Sequence, residues 1–210
     1  HKKQKLDRDD ILDITDLDVV AWLKGEMRLM LDEEIARAVL LGDNRSFGDP
    51  DKIDEDHIRP IAKDDDMYAH QVTLPEGLSV TDQVEFLIRA RAAYKGSGLP
   101  TLFTNQGFLT DMLLIKDKIG RALFDTQDQL ASKLMVSKIV PVEVMEEYDD
   151  VVAIYVNLMD YTLGTDAGGQ ISMFDDFDSD CNQMKYLSET RLSGALTKAK
   201  SAIVVNRVPG

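Results

Sequence analysis

"DVVAWLKGEMRLMLDEEIARAVLLGD", residues 18 to 43, holds the longest helical pattern in the chain, and the rest of the fold is read outward from it. Val19, Leu23, Met27, Leu31, Ile35 and Val39 recur every fourth residue, and no proline interrupts them. Thr15 or Asp16 can cap the start, and Gly42 supplies the stop. The spacing predicts a helix from Asp18 to about Leu41, roughly 36 Å long. A strict four-residue series drifts around a helix by about 40° per step, so its apolar stripe winds instead of facing one core. Trp22, Leu29 and Ala36 form a second set, seven apart, on another side. Apolar residues over so wide an arc are either enclosed within their own subunit or shared with a neighbour.

Downstream, "DNRSFGDPDKIDEDHIRPIAKDDD" (43–66) is rich in turn formers and charge and reads as loop. Tyr68 to Leu74 reads as a strand ended by Pro75 and Gly77. Ser79 with Asp82 opens a helix running to about Lys95 and stopped by Gly96-Ser97-Gly98. "PTLFTN" (100–105) is a short strand. Asn105 caps a third helix carrying Phe108, Met112, Ile115 and Ile119 on one face. Thr126 and Gln129 form a capping box for a short fourth helix ending near Leu134.

Two β-rich runs follow, "VSKIVPVEV" and "VVAIYVNLM", separated by the acidic turn "MEEYDD"; Pro141 places the first at an edge or bulge. After Gly168-Gly169 come "QISMF", "QMKYLSETRLSGAL" and "KSAIVV". Met184, Tyr186, Ser188, Thr190 and Leu192 fit alternation, yet Tyr186-Leu187 with Thr190 also fits a helix, so periodicity leaves 183–196 open. Helices and strands mix without a βαβ rhythm, which makes the class α+β.

With 210 residues, 44 % apolar and 30 % charged, the chain can bury a full core. No stretch is apolar for long enough to span a bilayer, so no membrane partner is expected. The single Cys181 excludes an internal disulfide, and one thiol with His1, His57 and His70 cannot build a common structural zinc site. The first residue is histidine and a polar stretch follows, which reads as a fragment without a signal peptide. A net charge of −14 argues against a surface that grips nucleic acid through its phosphates. The charge is uneven: residues 43–66 carry nine acidic and four basic side chains, residues 181–210 five basic and only Glu189 acidic. Opposed patches of this kind are ordinary solvated faces or suit subunits that meet in a fixed orientation.

The search for chemistry returns no catalytic, cofactor-binding or metal-binding residues, and no cofactor is expected. Asp178, Asp180, Asn182 and Glu189 fall at the first, third, fifth and twelfth positions of a calcium-loop frame. That frame needs glycine at its sixth position, where Gln183 stands. Asp49, Asp51 and Asp54 could reach a cation, but their spacing sets no coordination geometry. Ser97 lacks a nearby histidine and a nucleophile-elbow motif, and Gly96-Ser97-Gly98 is not a phosphate-binding loop. His57 and His70 read as surface or hydrogen-bonded histidines.

The order of the pieces is more specific. "KLDRDDILDITDLDVVAWLKGEMRLMLDEEIARAVLLGDNR" (5–45), "DEDHIRPIAKDDDMY" (54–68) and "SMFDDFDSDCNQMKYLSETRLSGALTKAKSAIVV" (172–205) resemble the major capsid proteins of tailed bacteriophages, the Hong Kong 97-type capsid family. The resemblance runs over nearly the whole chain, with the three blocks in family order.

It implies that the 18–41 helix is the spine helix of a peripheral domain formed by residues 1–78 and 166–210, with an axial domain at 79–165. It also implies that 183–196 is strand, and that the acids of 175–180 mark a domain crossing or a contact with a basic patch. The expected protein is a structural shell subunit, not an enzyme, that forms hexamers and pentamers of itself around DNA. Scaffold or portal partners are possible, and sequence-specific nucleic acid binding is not expected. Its place would be the virion capsid and, during assembly, the cytoplasm of a bacterial host. An encapsulin-like compartment subunit and a metal-dependent hydrolase using acidic loops are the alternatives.

Family members carry an N-terminal arm and an extended loop before the spine helix, and this chain begins after them. Some members also join subunits through a Lys-Asn isopeptide bond assisted by glutamate. Asn182 and Glu189 are suggestive in that light, but seven residues of strand separate them by about 23 Å, so they would act from different subunits.

Overall fold

The computed structural model describes residues 2–7, 19–117, 119–148, 150–165, 171–178 and 183–208. Ten strands and four α-helices lie among them: β1 (Lys2–Asp7), α1 (Val19–Leu40), β2 (Ala69–Leu74), α2 (Val80–Arg91), β3 (Thr101–Thr104), α3 (Gln106–Leu113), α4 (Gln127–Leu134), β4 (Ile139–Pro141), β5 (Val151–Val156), β6 (Tyr161–Thr165), β7 (Ser172–Asp178), β8 (Gln183–Glu189), β9 (Leu192–Leu196) and β10 (Ala202–Arg207). The expected mixture of helix and sheet is what the chain forms, and no helix of the described residues is long and apolar enough to cross a membrane.

A five-stranded sheet, ordered β2-β10-β5-β3-β4, organises the larger core. Its central strands are apolar without alternation because both faces are covered, and every residue of β5 is buried. Along β10, Ile203 and Val205 join the cluster with Leu87, Leu102, Phe108, Leu130 and Leu134, while Ala202 and Val204 point into a second cluster with Val39, Leu41, Ile61 and Met145. The first layer is built by α2, α3 and α4, the second by the C-terminal end of α1 and its following loop. Pro141 ends β4 at the sheet edge, where its missing N–H costs no ladder bond.

The smaller sheet, β1-β8-β7, is antiparallel throughout, and α1 lies against β1 and β8. A β6-β9 pair and a bridge from Ile58 to Gly194 tie the 43–66 loop to the rest. The boundaries expected at 78/79 and 165/166 do not follow sheet membership: β2 and β10 lie outside 79–165 yet are hydrogen-bonded into the five-stranded sheet.

Local chemistry explains the helix ends. The Ser79, Asn105 and Thr126 side chains accept hydrogen bonds from the N–H groups of Asp82, Phe108 and Gln129. Gln129 reaches back to the N–H of Asp125, one residue before the position that a capping box uses. Gly42, at φ 89°, ends α1 in a conformation that a side chain would strain, and its N–H donates to the Arg37 carbonyl. Thr15 and Asp16, the expected caps of α1, lie outside the described residues.

Three expectations are corrected. Helix α3 stops at Leu113, so Ile115 is buried beyond it and Ile119 is exposed; Asp117 and Gly120 close a tight turn there instead of continuing the helix. Helix α2 stops at Arg91, four residues short of Lys95. "VEV" after Pro141 becomes the 3-10 turn Glu143–Glu147 and not more strand. The 183–196 ambiguity resolves into two strands broken at Thr190-Arg191. Two strands, β1 and β6, had no pattern that announced them.

Candidate functional site

Helix α1 answers the question raised by its wide apolar arc. Met27, Leu31, Val39 and Leu40 are buried, and Val19, Leu23 and Ile35 half-buried, so the four-residue series faces the chain itself. The seven-residue set does not: Trp22 is 58 % exposed and Leu29 53 %, with Ala36 and Met30 beside them in solvent. Lys24 anchors the helix to the small sheet by pairing with Asp175 at 2.7 Å and lying over the Tyr186 ring at 5.5 Å. Asp175 is thus a contact within this chain. Phe174 and Phe177, its neighbours on edge strand β7, are about half exposed.

A groove of about 580 Å³ opens where α1, the 50–58 loop and the β8–β9 junction meet. Leu31, Ile35 and Ala38 supply one wall, Pro50, Ile53 and Ile58 another, and Thr190, Arg191 and Leu192 the third. Asp43 holds the loop in place from below. Its fully buried carboxylate accepts from the Lys52 ammonium at 2.8 Å and from the N–H groups of Ile53 at 2.6 Å and Arg45 at 3.2 Å. Burial pushes the Asp43 carboxyl upward, but the bonds from Lys52, Ile53 and Arg45 outweigh it and hold the group down at about 2. Arg45 in turn pairs with Glu34 of α1 at 2.8 Å. The groove lining mixes its apolar residues with the charged side chains of Glu34, Arg45, Asp51, Lys52 and Arg191.

Among the described residues, those weighed from sequence as metal or catalytic candidates are not brought together. Asp178 is paired in register with Gln183, and Gln183 to Glu189 is strand β8, which carries Glu189 about 20 Å from its start. The described parts of the calcium-loop frame therefore lie on two antiparallel strands; Asp180, Cys181 and Asn182 fall outside the described residues. Asp49 accepts from the N–H of Asp51, and Asp54 from the N–H of Asp56 and from His57, so these carboxylates stabilise their own turns. Among the described residues no three His, Cys, Asp or Glu side chains are grouped to hold a metal ion. His70 pairs with Asp66 at 2.8 Å.

Ser97 is a positioned loop residue. The buried Asp160 accepts both its hydroxyl at 2.5 Å and its N–H at 2.6 Å, while Asn157 and Tyr94 donate to its carbonyl. The Asp160 carbonyl also receives Thr197, so one acidic residue ties three loops together. Burial, with Asp160 nearby, pushes the Tyr94 phenol up to about 12. Sequence reading missed Asp43 and Asp160, because a single aspartate among 38 acidic residues carries no sign that it is buried.

A groove and an exposed apolar flank thus stand on a mixed α+β scaffold. The sequence matches the phage capsid family over residues 8–207, and the chain belongs to that family. No curated protein sequence matches it. Solved structures with similar folds include the capsid of a native GTA particle, with TM-score 0.68 and 15 % identity over 99 % of this chain and 71 % of that one. Gordonia phage Cozz gives TM-score 0.65 and 13 % identity over 100 % and 69 % of the two chains. A virus-like particle from Pyrococcus furiosus gives 0.64 and 15 % over 97 % and 74 %. The chain has the Hong Kong 97-type capsid fold and is a capsid shell subunit.

Proposed function

We propose that the chain is the major subunit of the head of a tailed phage or prophage, and that its role is structural and not catalytic. It forms hexamers and pentamers that close an icosahedral shell around DNA, with assembly in the cytoplasm of a bacterial host and with scaffold or portal proteins as further partners. The observation that carries this reading is the family match across 8–207, on a chain whose longest helix leaves Trp22 and Leu29 uncovered. An acidic chain suits a container that holds its genome loosely.

We further propose that the molecule divides into an axial lobe, centred on 79–165, and a peripheral lobe carrying α1 and the β1-β8-β7 sheet. The pairing of β2 with β10, and of β10 with β5, supports drawing the axial boundary outside those two strands.

Electron microscopy of the full-length product tests the reading. Closed particles with nucleic acid inside support it; persistent monomers across concentration and ionic strength overturn it. The likeness to the virus-like particle from Pyrococcus furiosus supports a second reading, an encapsulin-like compartment. Particles filled with protein and free of nucleic acid would select that one.

A further inference from the structure

Two unlike patches stand at opposite ends of helix α3, roughly 12 Å apart along its axis. At the C-terminal end the chain turns back sharply. Lys116 bridges Ala122, the Asp117 N–H donates to the Arg121 carbonyl at 2.8 Å, and the Leu123 N–H donates to Ile115 at 2.8 Å. The Asp117 carboxylate accepts from the N–H groups of Ile119 and Arg121, and Gly120 sits at φ 88°. Ile115 and Phe124 are buried and root this hairpin in the core. Its outer side chains are left uncovered: Leu114 is 64 % exposed, Ile119 77 % and Leu123 49 %. Residues 114–123 hold three basic residues and one acidic, in a chain of net charge −14.

At the N-terminal end, Gln106, Pro141, Glu143 and Glu146 line a cleft of about 350 Å³. Residues 141–150 hold five acidic residues and no basic one. Lys116, Arg121, Glu143 and Glu146 are all exposed, and among the described residues none has an ion-pair partner.

A closed ring of identical subunits needs a head-to-tail contact, in which two different surfaces of one chain meet. A pre-formed cationic hairpin with an apolar tip and an anionic cleft on the same part of the fold meet that requirement. A contact that set the hairpin against the same hairpin of another copy would oppose like charges, whereas hairpin against cleft pairs opposite ones. We propose that the 114–123 hairpin of one copy docks in the cleft of the next copy around a ring, with Ile119 in the cleft and Lys116 and Arg121 facing Glu143 and Glu146. This rests on the shell reading and names the surface by which neighbours in a ring recognise each other.

Charge reversal on the full-length protein tests it. The Lys116→Glu/Arg121→Glu variant and the Glu143→Lys/Glu146→Lys variant should each assemble at least tenfold less efficiently by light scattering and electron microscopy, with unchanged thermal unfolding of the single chain. The fourfold variant carrying both reversals should recover. In a Cys181→Ser background, Ile119→Cys with Glu146→Cys should give a ladder of disulfide-linked multimers on oxidation. Single reversals that assemble like the parent, or a fourfold variant that fails to recover, overturn the contact while leaving the shell reading intact. A parent that never forms particles removes both. Loss of DNA retention by Lys116→Glu/Arg121→Glu particles, with assembly unchanged, reassigns the hairpin to nucleic acid and also overturns the contact.

Discussion

The two sheets of this molecule handle their apolar side chains in opposite ways. Around β10, β5 and β3 both faces are covered by the chain's own helices and loops, and Ala153, Ile154, Tyr155 and Val156 are all fully buried. Around β1, β8 and β7 one helix covers one face, and Trp22, Leu29, Phe174 and Phe177 remain about half in water. The difference separates what keeps a subunit folded from what it offers to others. A covered apolar residue stabilises the single chain by about 25 cal/mol per Å² removed from water; an exposed one contributes that only when a partner arrives.

Mutations can break or sharpen this contrast. The largest effect on the isolated chain is expected at Ile154→Ala, in the middle of the covered sheet, which should cost about 3 kcal/mol in denaturant unfolding through lost transfer energy and a cavity. If Ile154→Ala were near neutral, the larger sheet would not be the stabilising centre.

Next comes Asp43→Asn, which breaks the buried bond to Lys52 below the groove and should cost on the order of 2 kcal/mol at neutral pH. The sign of its pH dependence follows from the lowered carboxyl. The contribution is complete above the ordinary aspartate range and is lost as pH falls from about 4 towards about 2. Asp43→Asn should therefore flatten that part of the stability profile, as read by thermal melts between those limits.

Asn105→Ala removes the bond to the Phe108 N–H at 2.6 Å and should cost about 1 kcal/mol, since α3 packs into the larger core through Phe108, Leu109 and Met112. The smallest effect on the single chain is expected for Trp22→Ser combined with Leu29→Ser, within about 0.5 kcal/mol of the parent. The same pair should weaken assembly at least tenfold by light scattering. A large loss of chain stability without loss of assembly would show that this flank serves the subunit itself.

Much of the fold was legible because local signals agreed with tertiary ones. Ser79, Asn105 and Thr126 cap where their spacing says they should, and β5 and β10 declare themselves by β-branched runs. The α3 boundary was misread because Phe108, Met112, Ile115 and Ile119 fit a helical face, while Asp117 and Gly120 stabilise a turn whose bonds periodicity does not register. β1 and β6 were missed because their strand character comes from pairing with β8 and β9, partners more than a hundred and about thirty residues away. The groove was illegible for the same reason: its walls come from residues 31–38, 45–58 and 190–192.

By itself the sequence determined that residues 19–40 form a helix with apolar residues on two sides, that the chain mixes helix and strand, and that its blocks follow the order of a capsid family. Those properties depend on neighbours a few residues apart, where periodicity and capping act. Only the tertiary structure decided which of the two helix faces is covered, which of 38 acids is buried at Asp43 or Asp160, and that the hairpin at 114–123 stands away from the acidic cleft at 143–146. Burial and charge complementarity are relations between segments distant in the chain, and they come into being only when folding brings those segments together.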